Sequence, residues 1–470
     1  MLSQNCEKRM TLKKIPILAL FILGLILIWP LQPALAGELE EAIANAQSAA
    51  DTSWMLISTG LVMVMTPGLA FFYGGFVAKR NILNTLMMSF LLMGIVGVTW
   101  VLWGYSLAFA PGLPFIGGLE WAFLTNVGLE TTNYLQGTEP AEVVSYAPTV
   151  PHQAFMIYQG MFAVITPALI SGAIVERVSF KAYTWFVILW SIFIYCPMAH
   201  MVWAKGGLLG LYGGLGALDF AGGTVVHITS GVSAVVAAIL IGKRRPDRIS
   251  APHNVPFILI GAGLLWFGWF GFNGGSALAS GALAIVAVVS TNTAAASAMI
   301  TWLLLEQFLR GKPTAVGAAT GAVAGLVGIT PAAGFVPPVA AILIGSITAV
   351  ACFFAISFKV KLGVDDALDT FPVHGVGGTV GAILTGVFAT TEVNEYGKDG
   401  LLRGHPEQVL IQLASIVIAY VIAAVGTFLI FQVIKVIIPW RLGPEAETQG
   451  MDINEHGEEA YGEELSGSSF

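Results

Sequence analysis

Two histidines set in glycine-rich apolar stretches are the residues of this 470-residue chain best placed to do chemistry. His227 lies in Asp219-Phe220-Ala221-Gly222-Gly223-Thr224-Val225-Val226-His227, and His374 in Asp369-Thr370-Phe371-Pro372-Val373-His374-Gly375. An ionisable side chain at bilayer depth is costly, so by default it marks a substrate or proton path. An imidazole donates from one nitrogen and accepts at the other, so two rings can share a hydrogen bond while each still faces a lumen. A shared metal is the competing reading. It would want a third ligand, and neither helix offers Cys, Asp or Glu three or four residues after its histidine. No metal, cofactor or enzymatic constellation is expected.

The surroundings decide what could pass. At mid-depth beside the histidines there is no acidic residue; Asp369, Glu176 and Glu306 fall at span ends. Moving an unpaired cation into such a site is expensive, and a cation path would need carboxylates or rings of carbonyls. A small neutral molecule needs neither. At the outer helix ends the chemistry differs. Trp203, the Phe270/Phe272 run and Ser276 combine aromatic faces that attract cations with a hydroxyl that accepts from an N–H donor. An interfacial tryptophan also serves as a simple membrane anchor, and for Trp203 both readings stand. Asp219 directly precedes its helix and is placed to cap it.

Composition supplies the scaffold for these residues. The chain is 56% hydrophobic and 10% charged, with 55 glycines. Soluble domains carry roughly 25% charged residues, whereas helices packing in lipid favour small residues. The fold class is therefore an all-α polytopic membrane protein. The net charge of −7 sits in exported loops and a tail and gives no reason to expect nucleic-acid binding. The three cysteines, Cys6 in the leader and Cys196 and Cys352 in apolar spans, give no reason to expect a disulfide framework or a metal site.

Residues 1–36 have the pattern of a signal peptide: Lys8, Arg9, Lys13 and Lys14, then apolar Ile15 to Trp29, then Ala34-Leu35-Ala36. An uncleaved first helix is the other reading, and in either case the chain emerges outside the cytoplasm at Gly37. Eleven apolar stretches follow, each long enough for a helix across a ~30 Å core: 53–77, 82–109, 152–175, 180–201, 221–242, 255–278, 281–309, 314–333, 337–358, 368–390 and 408–438. Of the 17 lysines and arginines after the leader, 14 fall on one side, which predicts an outside N-terminus and a cytoplasmic C-terminus.

Phe71-Phe72-Tyr73-Gly74-Gly75 in the first span is echoed by Phe270-Gly271-Phe272-Asn273-Gly274-Gly275 in the sixth. Four spans after each comes a histidine helix with a Gly-Gly-Thr-Val run. A five-span period predicts an inverted repeat with the site between the halves. His227 lies eight residues after Asp219 and His374 eight after Asp366. Each ring is then ~12 Å in from an opposite face, so the two can meet near the midplane.

The stretch Asp219 to His227 resembles the signature of the Amt/Mep/Rh ammonium transporter family, and similarity runs through nearly all of 50–461. It includes Ala199-His200-Met201-Val202-Trp203, Gly268-Trp269-Phe270-Gly271-Phe272-Asn273, Gly325 to Pro331 and Val373-His374-Gly375. The resemblance, closer to the Amt/Mep branch than to Rh, implies eleven membrane helices in a pseudo-twofold arrangement and a homotrimer with one pore per subunit. It implies an external ammonium site at Trp203, Ser276 and Phe162, a gate of Phe162 and Phe272, and a pore lined by His227 and His374. Asp219 would be the family's structural acid, Thr330 would lie near the gate, and Trp269 and Tyr158 would support the site. Tyr158 stands where several bacterial relatives have Phe, which leaves its part in the cation cage open. The expected domains are the leader 1–36, the transport domain 37–438 and a cytoplasmic tail 439–470. By composition that tail, with eight acids and no base after Arg441, is solvated and partly disordered. By resemblance it regulates transport, and bacterial relatives bind a trimeric PII-type signalling protein at that face. A Rh-type passive ammonia or carbon dioxide channel and an ammonium sensor are the alternatives, the sensor disfavoured because a tail of about 30 residues leaves no room for an appended signalling domain.

Overall fold

The computed structural model describes residues 31–130, 134–136, 142–144, 146–245 and 251–461. The basic and apolar parts of the expected leader lie outside the described residues. The chain divides into two units, Met1–Asp51 and Thr52–Phe470. In the first, the described residues are helical, and the Gln47 amide donates to the Asp51 carboxylate at 2.9 Å. Everything below concerns the second.

Among the described residues, ten helices are long and apolar enough to cross a membrane. In chain order the helices are α1 (Leu31–Phe76), α2 (Lys79–Phe109), α3 (His152–Ile174), α4 (Phe180–Trp203), α5 (Gly223–Ile241), α6 (Val255–Ala277), α7 (Ala282–Arg310), α8 (Ala315–Ile329), α9 (Pro338–Lys361), α10 (Phe371–Phe388) and α11 (Glu407–Ile437). The shorter apolar helix among these is α8. Its expected span 314–333 stops early because Thr330 and Pro331 open a turn, in which the Ala332 N–H reaches back to Ile329 O. Two short antiparallel pairs, β1 (Gly112–Leu113) with β2 (Ile116–Gly117) and β3 (Tyr134–Gln136) with β4 (Glu142–Val144), occupy the 111–151 connection. Four turns widen into π-helix: Trp100–Gly104, Ser191–Tyr195, Gly223–Ile228 and Phe371–Val376. The last two hold His227 and His374, and such widenings recur at functional positions.

One end of the helices is knotted by charge. Arg244 bonds Glu176 at 2.7 Å and Asp365 at 2.8 Å. Arg177, fully buried, donates to the carbonyls of Gly242, Ala173 and Asp365. Burial by itself would raise the Asp365 carboxyl, but its bonds to Arg244 and the neighbouring Arg177 charge win and hold it at about 2.

The tail corrects the compositional expectation of disorder, because through Tyr461 it is folded onto this same end. Its acids bond N–H groups at the starts of two helices, α2, which lacks a side-chain cap of its own, and α4, where they add to Ser179. Asn81 makes no side-chain cap for α2; instead the Asp452 carboxylate accepts from Leu83 N–H at 3.0 Å and Asn84 N–H at 2.8 Å. Glu455 likewise accepts from Phe180 N–H, at the start of α4, at 3.0 Å. The helices α12 (Pro444–Gln449) and α13 (Met451–His456) carry these groups, Arg441 pairs with Glu447 at 2.6 Å, and Met451 is buried. A negative charge at a helix N-terminus satisfies orphan N–H groups and suits the helix dipole, so the acids that made the tail look solvated are what dock it.

Asp452→Ala should therefore loosen the tail. Losing an N-cap costs about 0.5–2 kcal/mol, and limited proteolysis of the detergent-solubilised protein should cut within 440–461 several-fold faster. An unchanged digestion rate would mean the cap does not hold the tail.

Candidate functional site

The site is built on two helices begun in the same way. Asp219 turns its carboxylate onto four successive N–H groups, those of Gly222, Gly223, Thr224 and Val225, at 2.6–3.1 Å. Asp366 caps α10 with bonds to Thr370 N–H at 3.0 Å and Phe371 N–H at 2.7 Å. Each histidine follows eight residues later. Gly222 permits the first turn: its φ is +115°, and a Cβ there would press on Val226 and lie 3.5 Å from the Trp203 ring.

The two histidine helices meet backbone to backbone. A Cβ on Gly231 of α5 would collide with Gly375 N of α10, and one on Gly378 would sit 2.9 Å from Gly223 O and 3.0 Å from His227 Cβ. At that crossing the rings are 5.3 Å apart, 29° from parallel, with Nδ1 to Nδ1 at 3.2 Å. Both are buried.

The hydrogen-bond network assigns the protons. Thr330 Oγ1 donates to Leu326 O at 2.7 Å and receives the Trp269 indole N–H at 2.9 Å. With its single proton so used, it can only accept from His227 Nε2, 3.3 Å away. Neutral His227 then has its lone pair at Nδ1, and His374 Nδ1 is the donor to it. Two Nδ1 atoms share one proton, so at least one ring is uncharged.

Toward the end away from the tail, Phe162 and Phe272 close over the pair. Their centroids are 4.2 Å apart, and Phe272 lies 6.1 Å from His227. Beyond them Trp203 stands edge-on to Phe162 at 5.9 Å and 84°, its indole N–H held by Asp219 O at 3.0 Å. The Tyr158 hydroxyl lies 2.9 Å from both Gly271 O and Phe272 O and 3.2 Å from Ser276 Oγ. Ser276 donates to Phe272 O at 2.9 Å, which leaves its oxygen free to accept.

Between the Phe pair and His374 runs a narrow cavity, large enough for about one water-sized molecule and walled by Leu69, Phe72, Ile165, Leu265, Val323 and other apolar side chains. Phe72, Val323 and His374 also line a second cavity of about 160 Å³ that continues toward the tail-bearing end. There the first carboxylates appear. Asp369 is paired with Lys359, and Glu306 is bonded to Thr314 N–H at 2.8 Å. The narrow cavity has no carboxylate among its lining residues to offer a cation a counter-charge, so it suits a small uncharged molecule with a hydrogen-bonding atom.

All ten residues singled out from the sequence thus fall on this one line or directly against it. The Asp366 cap, the Lys359–Asp369 pair and the glutamines Gln408 and Gln412 were missed. Two glutamines four apart in an apolar run were the available signal for the last.

A helical membrane protein with this passage can be compared with known ones. Residues 53–461 match the Ammonium Transporter Family. An ammonium transporter of Bacillus subtilis is 49% identical over 412 residues, 87% of this chain and 98% of that protein. One from Aquifex aeolicus is 44% identical over 413 residues, 87% and 93% of the two. The crystal structure of Saccharomyces cerevisiae Mep2 superposes with a TM-score of 0.76 at 37% identity, covering 84% of this chain and 89% of its own. The chain belongs to the Ammonium Transporter Family.

The unequal caps make a ranked prediction. In Asp219→Asn one carboxamide oxygen must replace two, with an NH₂ pressed against N–H donors. Its loss should be about 2–4 kcal/mol, on the scale of hydrogen bonds to charged groups, and should exceed that of Asp366→Asn. Thermal unfolding midpoints of the two purified variants check the order.

Proposed function

We propose that the protein is an ammonium transporter that binds ammonium at Trp203, Phe162 and Ser276, lets it lose its proton to bulk water at the mouth beside Phe162 and Phe272, and conducts ammonia past His227 and His374. The observation that carries this reading is the join between two chemistries. An aromatic and hydroxyl-bearing mouth suited to a cation opens, across one pair of stacked rings, into an apolar passage suited only to a neutral molecule. Ammonium and ammonia are the same molecule on either side of a proton, which meets both demands. The naming of its relatives as ammonium transporters supports it further.

The wider arrangement follows the family. We infer eleven membrane helices after a cleaved leader ending at Ala36, the halves related as an inverted repeat. The helices of 37–438 form the transport domain, in the cell membrane as a homotrimer, with the N-terminus outside. The 439–470 tail is a cytoplasmic regulatory segment, at a face suited to a PII-type protein. The matching Asp-to-His spacing, caps and π-turns of α5 and α10 support the repeat, and the basic residues gathered at the tail-bearing end support the orientation.

Two experiments test the site. Trp203→Leu should weaken apparent ammonium affinity several-fold to tens-fold, the worth of a cation–π contact of roughly 0.5–2 kcal/mol, while maximal flux holds. Concentration-dependent ammonium uptake into proteoliposomes reads it; an unmoved curve would reduce Trp203 to an anchor.

The histidine pair gives the second. His227→Asp keeps polarity but puts a carboxylate into a wetter passage, so exclusion of potassium by desolvation should fail. His374→Ala should lower ammonium flux without admitting potassium. If both variants carry ammonium normally and still exclude potassium, the pair does not set selectivity.

A further inference from the structure

The turn that leads into Asp219 is held from a helix that lines no part of the passage. Gln412 of α11 is buried at 1% exposure, and its amide is fully used. Its Oε1 accepts from Leu218 N–H at 2.7 Å, and its Nε2 donates to Leu218 O at 2.8 Å and to Ala382 O at 3.1 Å. One side chain thus closes on both backbone groups of Leu218, which leaves that residue neither free to flip nor to slide. One turn earlier, Gln408 donates to Gly216 O at 3.1 Å and braces Gln412 Oε1 at 3.4 Å. Leu218 itself is buried against Phe335 and Ala389.

The next residue is Asp219. Its carbonyl accepts the Trp203 indole N–H, and its carboxylate begins α5. Ala382 belongs to α10, two turns beyond His374. We propose that Gln412 is a positioning residue for the outer cation site: by clasping Leu218 to α10 and α11 it fixes the carbonyl that orients Trp203. This rests on the reading of Trp203 as an ammonium site. Neither Gln412 nor Leu218 lines the cavity between Phe272 and His374, and Asp219 keeps its four bonds to α5 without them. Loosening the clasp therefore tilts the indole and leaves the passage as it was.

The test is a double-mutant cycle on the reconstituted full-length protein. Gln412→Met removes the amide at nearly constant shape. It should raise the half-saturating ammonium concentration about three- to tenfold, the size of lost buried hydrogen bonds, with maximal flux within about twofold. In a Trp203→Leu background the same substitution should add almost nothing, because the group it positions is gone. Gln408→Met should give a smaller shift of the same kind, and it carries the test if Gln412→Met does not reach the membrane. A loss of maximal flux equal in both backgrounds, or an undiminished shift without Trp203, overturns the proposal in favour of general packing. If Trp203→Leu moves the curve and Gln412→Met does not, the clasp alone is refuted. If Trp203→Leu leaves it unmoved, the outer site itself is refuted, and the positioning role with it.

Discussion

Two helices can bring short side chains into hydrogen-bonding contact at mid-membrane only where their backbones nearly touch. Here that contact is made by glycine: Gly231 against Gly375, and Gly378 against Gly223 O. The 3.2 Å approach of His227 and His374 follows from it. In lipid no hydrophobic force drives helices together, so close packing of small residues has to do it. The wall of the passage depends on the same crossing. His374 lines both cavities, so its position at the crossing sets the wall between them.

Carboxylates are kept out of that passage by being spent on backbone. Asp219 and Asp366 each sit one turn before a histidine helix and give their charge to its N–H groups, while Asp452 and Glu455 do the same for α2 and α4 from the tail. The arrangement rests at Asp219 on the four N–H groups and the partial positive charge of the helix N-terminus, whereas at Asp366 it also has the buried Lys359 beside the cap. It also couples the tail to the helices mechanically: α2 has no cap of its own on its first turn, so undocking the tail leaves N–H groups of that helix unpaired.

How far this was readable in the sequence varied with the range of the interaction. Span limits followed from apolar runs and came within a few residues for most helices, because membrane-crossing length is set by the bilayer rather than by partners. That His227 and His374 meet was readable from their matching eight-residue offsets, a local count. The tail was misjudged because its fate depends on donors 369 and 368 residues away, at Leu83 and Asn84, to which composition is blind. Gln412 escaped notice for the same reason, its partner lying 194 residues off. Of the candidate residues, Phe162, Tyr158, Trp269 and Thr330 entered through resemblance; the residue types alone singled out the histidines, Trp203, the Phe270/Phe272 run, Ser276 and Asp219, but not that Trp269 and Thr330 assign the proton on His227.

The two histidine helices share a plan and differ at their starts, and the difference matches where each start lies. Asp219 gives all its acceptor capacity to four N–H groups, and its carbonyl to Trp203, so the mouth beside it presents aromatic faces without a bare charge. Asp366 caps only two N–H groups, and its carbonyl accepts from Lys359, whose ammonium also pairs with Asp369 in the second cavity. One end therefore presents aromatic faces and a hydroxyl with no fixed charge beside them. The other opens at once onto fixed charges and a wider cavity, where water can follow. The change from an apolar lining to a charged one thus falls at His374, which lines both cavities.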